Sequence, residues 1–141
     1  MRPDIFMLTT LAASVSGLGI NCRGSSNCGS FVFGNYANGN PLEQLNRLIQ
    51  NNIDPSQWYN NGEQIACLKG SVFYTPSYIC AFLPNSGGAP GLSIKNLLPY
   101  PIDHGCGTCS SVPLFFPGDN DVNNGILTLN SVSGGCGTGM C

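Results

Sequence analysis

Charge is what this chain has least of. Charged residues make up 9% of its 141 positions, five Lys and Arg against seven Asp and Glu, for a net charge of −2. No basic field is present to draw nucleic acid or an anionic membrane surface, so no nucleic-acid partner is expected. Long apolar runs are missing too: none reaches the roughly 18 residues that span a bilayer, so no transmembrane segment is expected. The chain has a single histidine, His104. Any Ser-His-Asp triad would have to use it, yet no serine stands in a nucleophile-elbow sequence. An enzyme is therefore not expected. No Asn-x-Ser/Thr acceptor occurs, so N-glycosylation is not expected either. No internal repeat is evident, and the length bounds the chain to one domain.

Cysteine, by contrast, is plentiful. Eight residues in so short a chain, an even number, point to an oxidised disulfide framework rather than cytosolic thiols. A hydrophobic content of 42% argues against disorder. A core of this size is marginal without crosslinks. Four bridges at roughly 2–4 kcal/mol each would match the whole net stability of a domain. Residues 1–17, MRPDIFMLTTLAASVSG, have one Arg, a short apolar centre and small residues at the end. They read as a secretory signal peptide cut after Gly17, which leaves residues 18–141 as the mature domain and an extracellular location.

Residues 18–22 alternate like a short strand, and Arg23 to Asn27 form a polar turn between Cys22 and Cys28. A helix follows: Asn40 caps it, Pro41 suits its first position and Glu43 favours its positive end. Leu42, Leu45, Leu48, Ile49 and Ile53 recur at helical spacing until Pro55 ends the run. Residues 56–64 read as a polar turn. Strand candidates lie at 64–69, 71–74 and 78–83, interrupted by Gly70 and by Thr75-Pro76. After the breaker Asn85-Ser86-Gly87-Gly88, a second helix spans about 90–103, kinked or ended early by Pro99 and Pro101. The last strand covers 125–132. This order predicts an α+β fold, a mostly antiparallel sheet with helices on one face.

Three stretches carry a resemblance: LGINCRGSSNCG at 18–29, HGCGTCSSVPL at 104–114 and GDNDVNNGILTLNSV at 118–132. In this order they resemble the KP4 killer toxin family, small secreted proteins named for a virus-encoded fungal toxin. The resemblance implies an α/β sandwich, an antiparallel sheet covered by two antiparallel helices. It also implies pairing of Cys22 with Cys106 and Cys28 with Cys109. Cys67 is then expected to bond Cys136, leaving Cys80 for Cys141. The family's activity implies growth inhibition of competing fungal or plant cells, attributed to blocking voltage-gated calcium channels. A calcium channel in the target membrane is thus the expected partner, and a monomer the expected form. The lysine implicated in the family lies shortly before the cysteine equivalent to Cys67. Here that place reads Gln64-Ile65-Ala66, and Lys69 lies just beyond. Arg23, Lys69 and Lys95 are the cations of the matching regions that could reach a channel carboxylate.

Other candidates weigh less. Asp119-x-Asp121-x-Asn123 hints at a calcium loop, but Asn124 and Asn130 stand where an EF-hand needs Gly and Glu, so it reads as a turn. His104 beside Cys106 and Cys109 could suggest zinc, but an extracellular setting and the upstream cysteine pair favour disulfides. No metal or cofactor is expected. Phe31, Phe33, Tyr36, Trp58, Tyr59, Phe115 and Phe116 read as core and loop packing. An exposed subset would instead serve a secreted effector or a protein that binds wall or membrane on the same scaffold.

Overall fold

The computed structural model describes residues 19–34 and 36–141; the stretch read as a signal peptide, residues 1–17, and the expected new terminus Leu18 lie outside the described residues. Helix α1, Pro41–Asn52, begins as its sequence requires. The Asn40 side chain accepts from the Glu43 backbone N–H at 2.9 Å, and the Glu43 carboxylate accepts from the Asn40 N–H at 2.9 Å. This reciprocal box satisfies two donors that the first turn would otherwise leave unpaired. Its apolar stripe, Leu42, Leu45 and Ile49, is fully buried. Each such side chain contributes roughly 1.5–3 kcal/mol by leaving water.

The second helical stretch divides as its prolines dictate. Helix α2 covers Gly91–Leu97, Leu98 marks the joint, and helix α3 covers Pro99–Asp103. Pro99 and Pro101 have no N–H to continue the ladder, and the Leu98 N–H, donating to the Ile94 carbonyl at 3.2 Å, closes α2.

Six strands form one antiparallel sheet. They are β1 (Phe31–Val32), β3 (Ala66–Val72), β4 (Thr75–Phe82), β6 (Ser110–Pro113), β7 (Ile126–Val132) and β8 (Gly139–Met140). The order is β1-β3-β4-β7-β6, with β8 also pairing β3. A separate two-stranded ribbon joins β2 (Trp58–Tyr59) to β5 (Ala89–Pro90). Strand alternation sends Ala66, Leu68, Ile79, Ala81, Leu127, Leu129 and Val112 to the helix-covered face, where they pack with Leu42, Leu45, Ile49, Ile94 and Leu98. The result is the expected α+β fold, a helix layer over an antiparallel sheet.

Several local expectations change. The strand candidates at 64–69 and 71–74 are one strand, β3, which passes straight through Gly70. Gly70 is there because the end of the neighbouring strand β1 approaches so closely: a Cβ would lie 2.2 Å from the Val32 carbonyl oxygen and 2.7 Å from the Phe31 ring. Thr75-Pro76 does not break the run either; it opens β4. The reversal is made by Phe73 and Tyr74, with φ of 49° and 68°. Residues 56–64, expected as a turn, contribute β2, and the four-residue β6 and two-residue β8 are strands that the sequence reading lacked. Of the stretch read as a short strand, the described residues 19–22 keep a bridge from Asn21 to Ser111.

The disulfides divide in the same way. Cys22–Cys106 and Cys28–Cys109 form as the resemblance implies. The expected bonds from Cys67 to Cys136 and from Cys80 to Cys141 do not: the bridges are Cys67–Cys80 and Cys136–Cys141. The cause is register. Cys67 and Cys80 are direct partners across β3 and β4, with Cα atoms 4.1 Å apart. The tail turns back on itself and brings Cys136 to Cys141, Cα atoms 5.6 Å apart.

Candidate functional site

Lys69 lies two residues past Cys67 on β3, so both point to the sheet face away from the helices. Opposite them on β4 stand Tyr78 and Cys80. The Lys69 ammonium is 6.0 Å from the centre of the Tyr78 ring, at the limit of a cation–π contact. Its side chain is exposed. The backbone of Lys69 falls in the gap between the two short strands that share this edge of β3: β1 pairs at Ser71 and Val72, β8 at Ala66 and Cys67. Its N–H donates instead to the Thr138 hydroxyl at 2.8 Å, so a side chain from the tail completes the ladder where no strand does.

The tail covers the rest of this corner. Gln64 Nε2 donates to the Gly134 carbonyl at 2.9 Å, and the Cys141 N–H donates to the Ile65 carbonyl at 2.9 Å. Gly135 lies flat on the face: a Cβ there would be 2.7 Å from Tyr78 Cδ2 and 3.0 Å from Cys67 Sγ. Both remaining bridges meet here, with Cys67 Sγ 3.7 Å from Cys141 Sγ and the sulfurs of Cys67, Cys136 and Cys141 within 4.8 Å of one another. Each of these sulfurs is bonded in a disulfide, so the cluster offers no thiolate to a metal.

The other expected contact residues scatter. Arg23 sits in the loop laid over the same outer face, for Ser25 N–H donates at 2.9 Å to Asn130 Oδ1, and Asn130 is the register partner of Cys80. Strand β4 separates it from Lys69. Lys95 belongs to α2, in the opposite layer, where its carbonyl accepts from Gln50 Nε2 at 2.8 Å. The structure therefore groups Arg23 with Lys69 on one face and leaves Lys95 on the other.

Asp119 and Asp121 form Asx turns. The Asp119 carboxylate accepts from the Asp121 N–H at 2.8 Å and from Asn124 Nδ2 at 2.7 Å. These donors, the backbone one first, hold its carboxyl below the ordinary carboxylate range. The sulfurs of Cys106 and Cys109, which a zinc site beside His104 would need, are joined to Cys22 and Cys28.

Sequence reasoning missed Phe73 and Tyr74. They form the tip of the β3–β4 hairpin and are 79% and 101% exposed. No composition rule flags them, because tight turns are expected at Gly or Asn. Along one side of the tip runs a shallow cleft of about 450 Å³ lined by Ser30, Val32, Ser71, Phe73 and Tyr74.

A small antiparallel sheet roofed by short helices and held by four bridges, with no helix among the described residues long and apolar enough to cross a membrane, is the architecture of a small disulfide-stapled α+β domain. Comparison with known proteins makes this particular. The chain belongs to the Kp4 killer toxin family, whose model matches residues 5–133. It is 33% identical over 120 residues to the KP4 killer toxin of Ustilago maydis P4 virus, covering 84% of this chain and 84% of that protein.

Proposed function

We propose that this chain is a secreted killer toxin that inhibits growth of competing fungal or plant cells by perturbing a calcium channel, with Lys69 as its contact cation. One observation carries the choice of residue. The two stretches that build the corner around Lys69, residues 64–82 and 125–141, contain no charged residue other than Lys69. The net acidity of the chain resides elsewhere, in Glu43, Asp54, Glu63, Asp103, Asp119 and Asp121 among the described residues. A carboxylate-lined channel mouth would therefore meet a lone exposed ammonium with no acidic neighbour on these strands. Period-two alternation also puts Lys69 on the side of Cys67, two residues beyond that cysteine.

The test is a dose series of oxidised wild-type, K69Q and K69R proteins against target fungal and root cells. Loss of one partner of a close charge pair across an interface predicts a drop in potency of about tenfold or more for K69Q. K69R keeps the charge and is expected to retain most of the activity. Full potency of K69Q would remove Lys69 from the mechanism.

A further inference from the structure

We infer that the tip of the β3–β4 hairpin is a membrane-contact site, seating Phe73 and Tyr74 in the headgroup region of a target-cell bilayer. This goes beyond channel perturbation and does not depend on it. The first observation is a mismatch between turn and residues. Val72 pairs with Thr75, so the loop has only two residues, and both have positive φ. That geometry favours Asn-Gly and disfavours bulky side chains. Nothing in the fold compensates, because both rings stand in solvent and Tyr74 is 101% exposed. A local rule broken without a structural return marks a functional position.

The second observation identifies the occupant. The residues around the tip are uncharged and, Asn27 apart, apolar or hydroxyl-bearing: Ser30, Val32 and Ser71 on one side, and Ser25, Thr75, Pro76, Ser77, Ser131 and Val132 on the other. Val32 is itself 55% exposed. No charged residue occurs from 70 to 94, from 24 to 42, or from 122 to 141. Lys69 lies four residues before Phe73, about 13 Å along an extended strand, and Arg23 lies two residues before Ser25. Seating the tip to the usual depth of roughly 5–10 Å thus takes no charge on β3 or β4 into the acyl boundary. A phenol and a phenyl ring above a belt of hydroxyls suit the interfacial zone, where aromatic rings rest between headgroup and chain. The tip is also convex, a shape that a deformable lipid layer accepts without a preformed pocket.

The experiment uses the oxidised protein and protein-free phosphatidylcholine vesicles, with sedimentation at low and high salt. Wild type is expected to bind in both, since uncharged groups make the contact. F73N/Y74G, which supplies the turn with its preferred residues, is expected to fold and to lose binding by about tenfold or more. A second readout needs no loss of fold: in a W58F/Y74W chain the lone indole is expected to shift its emission to the blue when vesicles are added. Overturning results are no binding of wild type, unchanged binding of F73N/Y74G, or an unmoved indole. Binding confined to anionic vesicles at low salt would also overturn the inference, assigning the contact to Arg23 and Lys69. So would binding to cells but not to protein-free lipid, which would point to a protein receptor.

Discussion

Gly70 shows how tightly single positions are constrained. The atom that a Cβ at Gly70 would strike, 2.2 Å away, is the backbone oxygen of Val32, which cannot rotate aside. Gly70→Ala is therefore expected to displace β1 and lower stability by about 1–3 kcal/mol, measured by urea unfolding. Asp119 makes a different residue-scale prediction. Its carboxyl is held below the ordinary value, chiefly by the Asp121 N–H, so its contribution exists above the unfolded-state pKa and is lost as pH falls through the folded one. Wild type and D119A should differ in Tm near neutral pH and converge on acidification below the ordinary aspartate pKa of about 3.9. A gap that widened on acidification would contradict the assignment. Sequence alone could name the Asp/Asn turn but not its donors, because Asn124 reaches Asp119 only through the fold of the loop.

At the scale of elements, the β3–β4 hairpin decides most. Phe73 and Tyr74 hold left-handed backbone that costs non-glycine residues about 1–2 kcal/mol each. F73N/Y74G is expected to raise stability by about 1–2 kcal/mol and Tm by a few degrees, read by calorimetry. A less stable variant would mean that the rings support the fold. The same hairpin explains why strand boundaries were only half legible. Gly70 reads as a breaker because glycine weakens a strand, whereas here it makes room for the close backbone of the neighbouring strand β1. The true turn was hidden in two aromatic residues that ordinarily mark strand interiors. The helices were readable because their determinants are local: the Asn40–Glu43 box, the Leu42-Leu45-Ile49 stripe, and the prolines that split α2 from α3. Short strands β2, β6 and β8 owe their existence to partners distant in sequence, which no window of residues displays.

Across the whole molecule, the three stretches that carry the family resemblance meet. Asn21 and Ser111 exchange backbone hydrogen bonds at 3.1 and 2.9 Å, and Asn21 Nδ2 adds a third to the Ser111 hydroxyl at 2.9 Å. Gly19 N–H donates to the Asn120 carbonyl at 3.1 Å, and Asn130 Oδ1 accepts from Ser25 N–H beside Cys28–Cys109. A Cβ on Gly24 would collide with Asn130, Cys28 and Cys109 together. These residues are scaffold, which is why the fold and the first two bridges were legible, whereas of the proposed contact residues the sequence offered Lys69 and not Phe73 or Tyr74. The proposed contacts lie on β3 beside the tail and at the tip of the β3–β4 hairpin. The scaffold has a testable strength: with Cys22–Cys106 already closing the long loop, Cys28–Cys109 closes only a ring of about ten residues, so C28S/C109S should cost about 3 kcal/mol in denaturant unfolding. The bridges Cys67–Cys80 and Cys136–Cys141 are checked by peptide mapping of the non-reduced protein; cross-linked peptides pairing Cys67 with Cys136 would contradict them.

The central claim, a toxin that acts on calcium entry, is tested most directly by calcium uptake in sensitive cells exposed to the oxidised protein at rising external calcium. The account predicts reduced uptake and growth arrest, both relieved as external calcium increases. Arrest with uptake unchanged, or arrest indifferent to calcium, would contradict it.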